Sequence, residues 1–138
     1  MNSKSFTIDS AYKNVSSVCF IAKTYCEEKY LDEEKTREIE LCLAEALNNI
    51  IKHSYKGEET NKIDFSMEFE NSKFTIVLTD FGESRKNLKK PVLEFDPEDI
   101  ESLPEGGMGL FIIEQLMDEN IYSVEENKNT FTLVKNFK

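Results

Sequence analysis

The chain has 138 residues, of which 39% are hydrophobic and 32% charged, and its formal net charge is −10. This composition indicates one globular domain that can bury its own core without metals or disulfides, and it excludes general disorder. An acidic chain repels a phosphate backbone, so direct nucleic-acid binding is not expected. No apolar run approaches the roughly 18 residues of a membrane-spanning helix, and the first residues lack a signal peptide. We therefore expect a cytoplasmic protein without membrane contact.

The three cysteines show no paired spacing of the kind that holds a metal ion. They are Cys19, Cys26 and Cys42, and an odd number in a cytoplasmic protein indicates free thiols. We expect these residues to serve as small apolar side chains within helices.

The first third of the chain predicts one strand and two helices. Alternation predicts a strand over Ser3–Asp9, and apolar residues at helical spacing predict a helix from Ala11 to about Tyr30. Asp32 is the predicted N-cap of the second helix, which has acidic residues in its first turn and is expected to end near residues 55–57.

The middle of the chain predicts a hairpin. Asn61–Glu70 and Lys73–Asp80 both have strand patterns, and the intervening Asn71 and Ser72 are typical turn residues. The second strand is more continuously apolar, which predicts a more central place in the sheet.

Periodicity is lost from Gly82 to about Met108, and this segment includes all three prolines of the chain. Long irregular stretches in compact domains are often functional, so we predict a lid over about 82–108. Its early part carries a basic cluster, Arg85, Lys86, Lys89 and Lys90.

The end of the chain predicts a helix and a second hairpin. The helix covers Leu110–Met117, and the strands Asn120–Glu126 and Thr130–Phe137 are expected to turn around residues 127–129. The whole order predicts an α+β fold, a two-layer sandwich in which the helices cover one face of a mixed, mostly antiparallel sheet. We expect residues 1–138 to form a single domain.

The second helix carries a polar stripe beside an apolar one. Glu45, Asn49 and His53 are four residues apart and so share a helix face. The opposite side has the spacing of a core-facing stripe, with Ile39, Leu43, Ala46, Leu47 and Ile50. A solvated helix face would explain the polar stripe alone, and His53 is read as structural because a helix C-terminus favours it.

Three features together predict a site for ATP and Mg²⁺. A glycine-rich turn before a helix offers backbone N–H groups to phosphate. Asp80 after a buried strand can accept a hydrogen bond from an exocyclic amine, and Gly82 lets the chain approach a flat ring. The Asn49 carboxamide can bind Mg²⁺, and Glu45, one turn away, can orient or deprotonate an attacking hydroxyl.

These motifs resemble a known superfamily. ExxxN on a helix (Glu45–Asn49), DxG after a strand (Asp80–Gly82) and GGxGL before a helix (Gly106–Leu110) match, in order and spacing, the GHKL ATPases and kinases. The run EGGMGLFIIEQLMDE and the closing strand pair are similar to the bacterial anti-sigma-factor serine kinases of partner-switching modules. The resemblance covers nearly the whole chain and implies a Bergerat-type ATP-binding fold.

The resemblance implies a role for each matched residue. Asn49 would bind Mg²⁺ and Glu45 would be the general base, while Asp80 would bind the adenine amine beside Gly82. The residues that would cover the phosphates of ATP are Gly107, Met108, Gly109 and Leu110. Ser84 departs from the superfamily, in which many members have a second glycine at this position.

The family further implies a serine/threonine protein kinase that inhibits a sigma factor and phosphorylates a STAS-domain antagonist, and that commonly forms a homodimer. One alternative is an ATP-binding switch that sequesters a regulator with little or no kinase activity. A second is the ATP domain of a histidine kinase, which we do not expect because no helix with a phosphoacceptor histidine precedes the domain and the only histidine is His53.

Overall fold

A computed structural model describes residues 3–83 and 107–137, with side chains from residue 109 onward in the second range. Most of the predicted lid, with its basic cluster and Ser84, lies outside these residues. The described elements are β1 (Ser3–Asp9), α1 (Lys13–Glu28), α2 (Glu33–Asn49), a π-helical turn (Ile50–Ser54), β2 (Lys62–Glu70), β3 (Lys73–Asp80), α3 (Gly107–Leu116), β4 (Glu119–Glu125) and β5 (Lys128–Asn136).

The described strands form one sheet in the order β1-β2-β3-β5-β4, with β3 at the centre as predicted. All four of its pairings are antiparallel, so this part of the sheet is more uniform than the mixed sheet we expected. The first hairpin turns at Asn71 and Ser72, whose φ angles of 55° and 64° suit a tight turn between twisted strands. The predicted α+β sandwich is confirmed.

The closing hairpin turns earlier than predicted. We expected the turn at residues 127–129, but Lys128 and Asn129 already belong to β5, and the two turn residues are Glu126 and Asn127. Glu126 adopts a φ of 55°, a conformation in which Asn or Gly is more common, and the two asparagines nearby therefore suggested the wrong position. The shift places Asn129 inside the sheet.

The second helix changes its geometry at the predicted site. Asp32 caps α2 as predicted, because its side chain accepts a hydrogen bond from the Lys35 N–H at 2.9 Å. The α-helical part ends at Asn49, and the π-helical turn follows, closed by a hydrogen bond of 3.1 Å from the Tyr55 N–H to the Ile50 carbonyl. The four-residue spacing assumed for the polar stripe therefore holds only as far as Asn49.

The third helix begins at Gly107 rather than at Leu110, so Gly109 belongs to its first turn. Of the expected inward residues, Ile113 and Met117 are buried, whereas Ile112 and Leu116 are partly buried against the same core. The helix packs on α2, and α2 packs on α1.

The core lies between the helices and one face of the sheet. The predicted apolar stripe of α2 is confirmed, since its members are 5% exposed or less: Ile39, Leu43, Ala46, Leu47 and Ile50. They join inward residues of the central strands in one hydrophobic cluster. In the part of the chain that the structure describes, no helix has the length and apolar character needed to cross a membrane.

The three cysteines lie in the helical layer as free, buried thiols, as predicted. Burial raises the pKa of Cys19 and Cys26 to about 11 and that of Cys42 to about 12. The thiolate is the reactive form, so these side chains are packing residues.

Candidate functional site

A recess opens where the end of α2 faces the end of β3. Three predicted site residues from three different elements line it, namely Asn49, Asp80 and Leu110, and the remaining lining residues are Ile50, Ser54, Tyr122 and Phe131. The fold therefore brings the helix motif and the strand motif together.

Asp80 is the buried carboxylate of the recess, with only 2% of its surface exposed. Its Oδ1 accepts hydrogen bonds from the Asn129 Nδ2 at 2.8 Å and from the Gly82 N–H at 3.0 Å, and Ser54 donates a further one. Burial raises the pKa of Asp80 because it disfavours the charged form, and the three hydrogen bonds oppose that shift. The donors fix the carboxylate in one orientation.

Asn129 contacts the candidate site through Asp80 and was not predicted from the sequence. It is fully buried, and its Nδ2 donates both to Asp80 Oδ1 and, at 3.1 Å, to the Gly82 carbonyl. The asparagine-rich turn signal placed it in the loop. The alternation of β5 could have identified it, because Asn129 has the same inward parity as the buried Phe131 and Leu133.

Gly82 is packed against the end of the site helix, the name we give to α2 together with the π-helical turn Ile50–Ser54. A Cβ atom at this position would lie 2.3 Å from the Ser54 carbonyl oxygen and 2.8 Å from the Tyr55 ring. The Glu83 N–H also donates to the same Ser54 carbonyl at 2.8 Å. Close approach of Gly82 to the flat ring of a ligand stays a prediction, and within the described residues its close neighbours are the Ser54 backbone and the Tyr55 ring.

Tyr55 joins the same elements through its hydroxyl group. The side chain is buried, and its hydroxyl donates to the Lys62 carbonyl at 2.5 Å and accepts from the Phe81 N–H at 2.8 Å. Burial also raises the pKa of Tyr55, so the phenol stays protonated and able to donate. We did not predict a role for Tyr55 from the sequence.

Glu45 and Gly109 lie against each other where α2 meets α3. A Cβ atom at position 109 would lie 2.6 Å from the Glu45 Oε2, so the absence of a side chain there makes room for the carboxylate. Glu45, the predicted base, therefore lies at the first turn of α3, where backbone N–H groups favour negative charge.

The structure gives fewer contacts for the remaining predicted residues. Gly107 is the first residue of α3 and Met108 follows it, but the surroundings of these two residues lie outside the described set, as does Gly106 altogether. His53 is half-buried in the last turn of the π-helical segment, and its structural role stays a prediction.

Comparison with known proteins gives one family match and several relatives. A model of the histidine kinase-like ATPase domain matches residues 8–135. The chain is 36% identical over 102 residues to the serine-protein kinase RsbW of Staphylococcus epidermidis, covering 71% of this chain and 64% of that protein. It is 33% identical over 89 residues to RsbW of Oceanobacillus iheyensis, covering 62% and 56%. The match spans less than two thirds of these relatives' length.

Solved structures share the fold at low identity. The structure of the RsbU and RsbW domains of Rv1364c from Mycobacterium tuberculosis gives a TM-score of 0.70 at 14% identity, covering 99% of this chain and 32% of that chain. The SiaB–SiaC complex from Pseudomonas aeruginosa gives 0.69 at 16%, covering 96% and 87%. The catalytic domain of histidine kinase ThkA gives 0.52 at 18%, covering 99% and 97%.

The family model extends from the last two residues of β1 to Lys135 in β5, and so spans the recess, the described helices and the strands β2, β3 and β4. The superfamily predicted from the three motifs is confirmed by this match and by relatives at 33% and 36% identity. This chain belongs to the histidine kinase-like ATPase domain family.

Proposed function

We propose that the protein is an ATP-dependent serine/threonine protein kinase that regulates transcription by partner switching. The observation that carries this proposal is the recess in which a buried, oriented Asp80 lies near Asn49, with Glu45 packed on the glycine motif. The relatives named serine-protein kinase support it, although this chain covers only 56% and 64% of their length.

Adenine would bind at the strand end of the recess. The Asp80 carboxylate would accept a hydrogen bond from the exocyclic amine, and its neighbours hold it ready for that contact. The pocket also has apolar walls from Ile50, Leu110 and Phe131, which suit a flat ring. A preorganised acceptor in an apolar recess distinguishes an amine-bearing base from one with a carbonyl group.

The triphosphate would lie towards α3, whose first turn contains Gly107, Met108 and Gly109. Asn49 has the hard oxygen atom that Mg²⁺ prefers. Phosphate oxygens and water would complete the ligands of this ion. Mg²⁺ would neutralise charge on the phosphates.

Glu45 would act on the nucleophile. A serine hydroxyl of the partner would attack the γ-phosphorus, the bond to the β-phosphate oxygen would break to give ADP, and the Glu45 carboxylate would accept the hydroxyl proton. Glu45 is half-buried, and its carboxylate lies beside Gly109 in the first turn of α3, towards which the phosphates would lie.

We propose a STAS-domain anti-anti-sigma protein as the phosphorylated partner and a sigma factor as the inhibited one, with the kinase as a cytoplasmic homodimer. The protein of similar fold in the SiaB–SiaC structure is part of a complex, which supports a protein partner for this chain. A net charge of −10 favours partners with basic surfaces.

The test combines partner capture with phosphate transfer. The protein is used as bait in native lysate with and without Mg·ATP, captured proteins are incubated with labelled ATP, and the phosphorylated residue is mapped. Label on a serine of a captured STAS-domain protein would support the kinase. Nucleotide-dependent capture without label transfer would favour the sequestering switch, and capture that is independent of nucleotide and gives no label would contradict both.

Two substitutions separate the proposed roles. Asn49→Ala is expected to abolish Mg·ATP-dependent transfer, because it removes the protein ligand of the metal. Glu45→Ala is expected to retain nucleotide binding but to slow transfer by about 10²-fold or more, the range of general base catalysis. Transfer at the parental rate by Asn49→Ala would show that the site is wrongly assigned, and Glu45→Gln is the control that preserves shape.

A further inference from the structure

The strands β2 and β3 separate at a tyrosine hydroxyl. The last pair of their ladder joins Ile63 and Asp80, so the next pair along would be Lys62 and Phe81. At that point the Tyr55 hydroxyl stands between the two backbone groups, donating to the Lys62 carbonyl and accepting from the Phe81 N–H. The side chain of the residue that follows the site helix therefore takes the place of a strand-to-strand hydrogen bond.

The path of the chain beyond Asp80 depends on this bridge. Having left the sheet, the chain passes close to the end of the site helix, where Gly82 contacts the Ser54 backbone and the Glu83 N–H donates to the Ser54 carbonyl. The Gly82 N–H then points back to the Asp80 carboxylate at 3.0 Å. The Gly82 amide, which orients Asp80, thus belongs to the residue directly after Phe81, whose amide Tyr55 binds.

We propose that Tyr55 is a positioning residue for base recognition, which holds the segment after β3 so that the Asp80 carboxylate faces the nucleobase. This inference rests on the proposed binding of ATP and names the group that fixes the base-selecting carboxylate. Tyr55 touches neither the base nor the phosphates in this role, because its hydroxyl is occupied by two backbone groups. Its effect is on selection between bases rather than on phosphate transfer.

A second tyrosine of the chain provides a matched control. Tyr25 is also buried, and its hydroxyl also accepts a hydrogen bond from a strand amide, that of Phe69, at 3.1 Å. Phe69 lies near the opposite end of β2 from Lys62, away from the recess. Tyr25→Phe and Tyr55→Phe therefore remove the same atom from similar surroundings, but only the second change affects the chain next to Asp80.

The experiment measures dissociation constants for Mg·ATP and Mg·ITP by calorimetry, because ITP has an oxygen atom where ATP has the exocyclic amine. The parental protein is expected to prefer ATP by about tenfold or more, since a hydrogen bond to a charged group is at stake. Tyr55→Phe is expected to reduce this preference by about threefold or more, mainly through weaker ATP binding, while Tyr25→Phe retains it.

Amide hydrogen exchange gives a reading that needs no nucleotide. The Phe81 amide is expected to be protected in the parental protein and to exchange faster in Tyr55→Phe but not in Tyr25→Phe. An unchanged ATP preference in Tyr55→Phe, an equal loss in Tyr25→Phe, or an unprotected Phe81 amide in the parental protein would overturn the inference. A parental protein that binds neither nucleotide would instead overturn the proposed function.

Discussion

Asp80 combines two opposing requirements in one side chain. It is buried, which disfavours its charge, yet it accepts hydrogen bonds from Asn129, Gly82 and Ser54, which favour the charge. A carboxylate that is held in this way is costly to stability and is usually retained for recognition or chemistry. The cost of burying the Asp80 carboxylate therefore supports the presence of a ligand at the recess.

Asp80→Asn tests this residue in ligand binding. The amide can still accept from Asn129 and Gly82 through one oxygen, but it presents an NH₂ group where the carboxylate presents its second oxygen. We expect a folded protein whose affinity for ATP is lower by about tenfold or more, because two donors would then face each other. Calorimetry with Mg·ATP checks this, and parental affinity in Asp80→Asn would contradict the assignment of the adenine contact.

The same substitution tests the electrostatics of Asp80. Because burial raises its pKa in the folded state above the ordinary value of 3.8, the folded protein holds this proton more tightly than the unfolded chain does. The stability contribution is fully present below the unfolded pKa and is lost as pH rises through the folded pKa.

We therefore expect the free energy of unfolding of the parental protein, relative to Asp80→Asn, to fall as pH rises above 3.8 and then to level off. Urea denaturation of both proteins at stepped pH measures this difference, in which the other carboxylates cancel. A difference that rises with pH would mean that hydrogen bonding, not burial, dominates at Asp80.

Two glycines mark the places where elements of the site touch, and their neighbours differ in kind. Gly82 faces the Ser54 backbone at the end of the site helix, whereas Gly109 faces the carboxylate of Glu45, the mobile end of a long side chain. Backbone at a helix end cannot move without disturbing the elements that pack on it, but a carboxylate can rotate away. The same methyl group should therefore have different effects at the two positions.

Gly82→Ala is expected to lower the free energy of unfolding by about 2 kcal/mol or more, because the added Cβ overlaps the Ser54 carbonyl. Gly109→Ala is expected to leave stability nearly unchanged, since alanine favours the helix, and to slow phosphate transfer by displacing Glu45. Urea denaturation and labelled-ATP transfer assays on both variants check the contrast. Equal stability losses would contradict it.

At the scale of the whole molecule, a buried lysine ties the sheet to the helical layer. The Lys135 ammonium group lies 2.7 Å from the Glu38 carboxylate on α2 and donates to the Leu116 carbonyl at the end of α3. Its side chain is 9% exposed, compared with 63% for Lys62, which pairs with Asp9 at the surface. Only the first pair is shielded enough from water to matter for folding.

Lys135→Met is expected to lower the free energy of unfolding by about 1–3 kcal/mol, because Glu38 and the Leu116 carbonyl lose a partly buried cation. Lys62→Met should change it by less than about 1 kcal/mol. Thermal and urea denaturation of the two variants measure both effects. A larger loss from Lys62→Met would contradict the assignment of Lys135 as the interlayer contact.

Most of the architecture could be predicted from the sequence, because periodicity reports which side of an element is buried. The bounds of β1 and β3, the Asp32 cap and the apolar stripe of α2 follow local rules that the tertiary structure does not override. The resemblance added the pairing of Asn49 with Asp80, which local rules cannot provide because these residues belong to distant parts of the chain.

The remaining site residues depend on tertiary contacts that leave little local signal. Asparagine is typical of turns, but Asn129 belongs to a strand because the hairpin turns earlier, where Glu126 takes the positive φ angle. Tyr55 follows a helix and becomes part of the site only because its hydroxyl reaches two strands. The π-helical turn before it gives no periodic pattern either, since it interrupts the helical repeat.

The interior position of all three thiols has a practical consequence for work on this protein. A cysteine with a pKa of about 11 or 12 in a closed helical layer is almost inert towards alkylating reagents, whereas the same cysteine in an opened molecule reacts readily. The rate of alkylation therefore depends on how often α1 and α2 open, and it can be measured without introducing a label or a substitution. The alkylation rate of the native cysteines therefore reports how often the helical layer opens, and any molecule that binds the closed form will lower this rate.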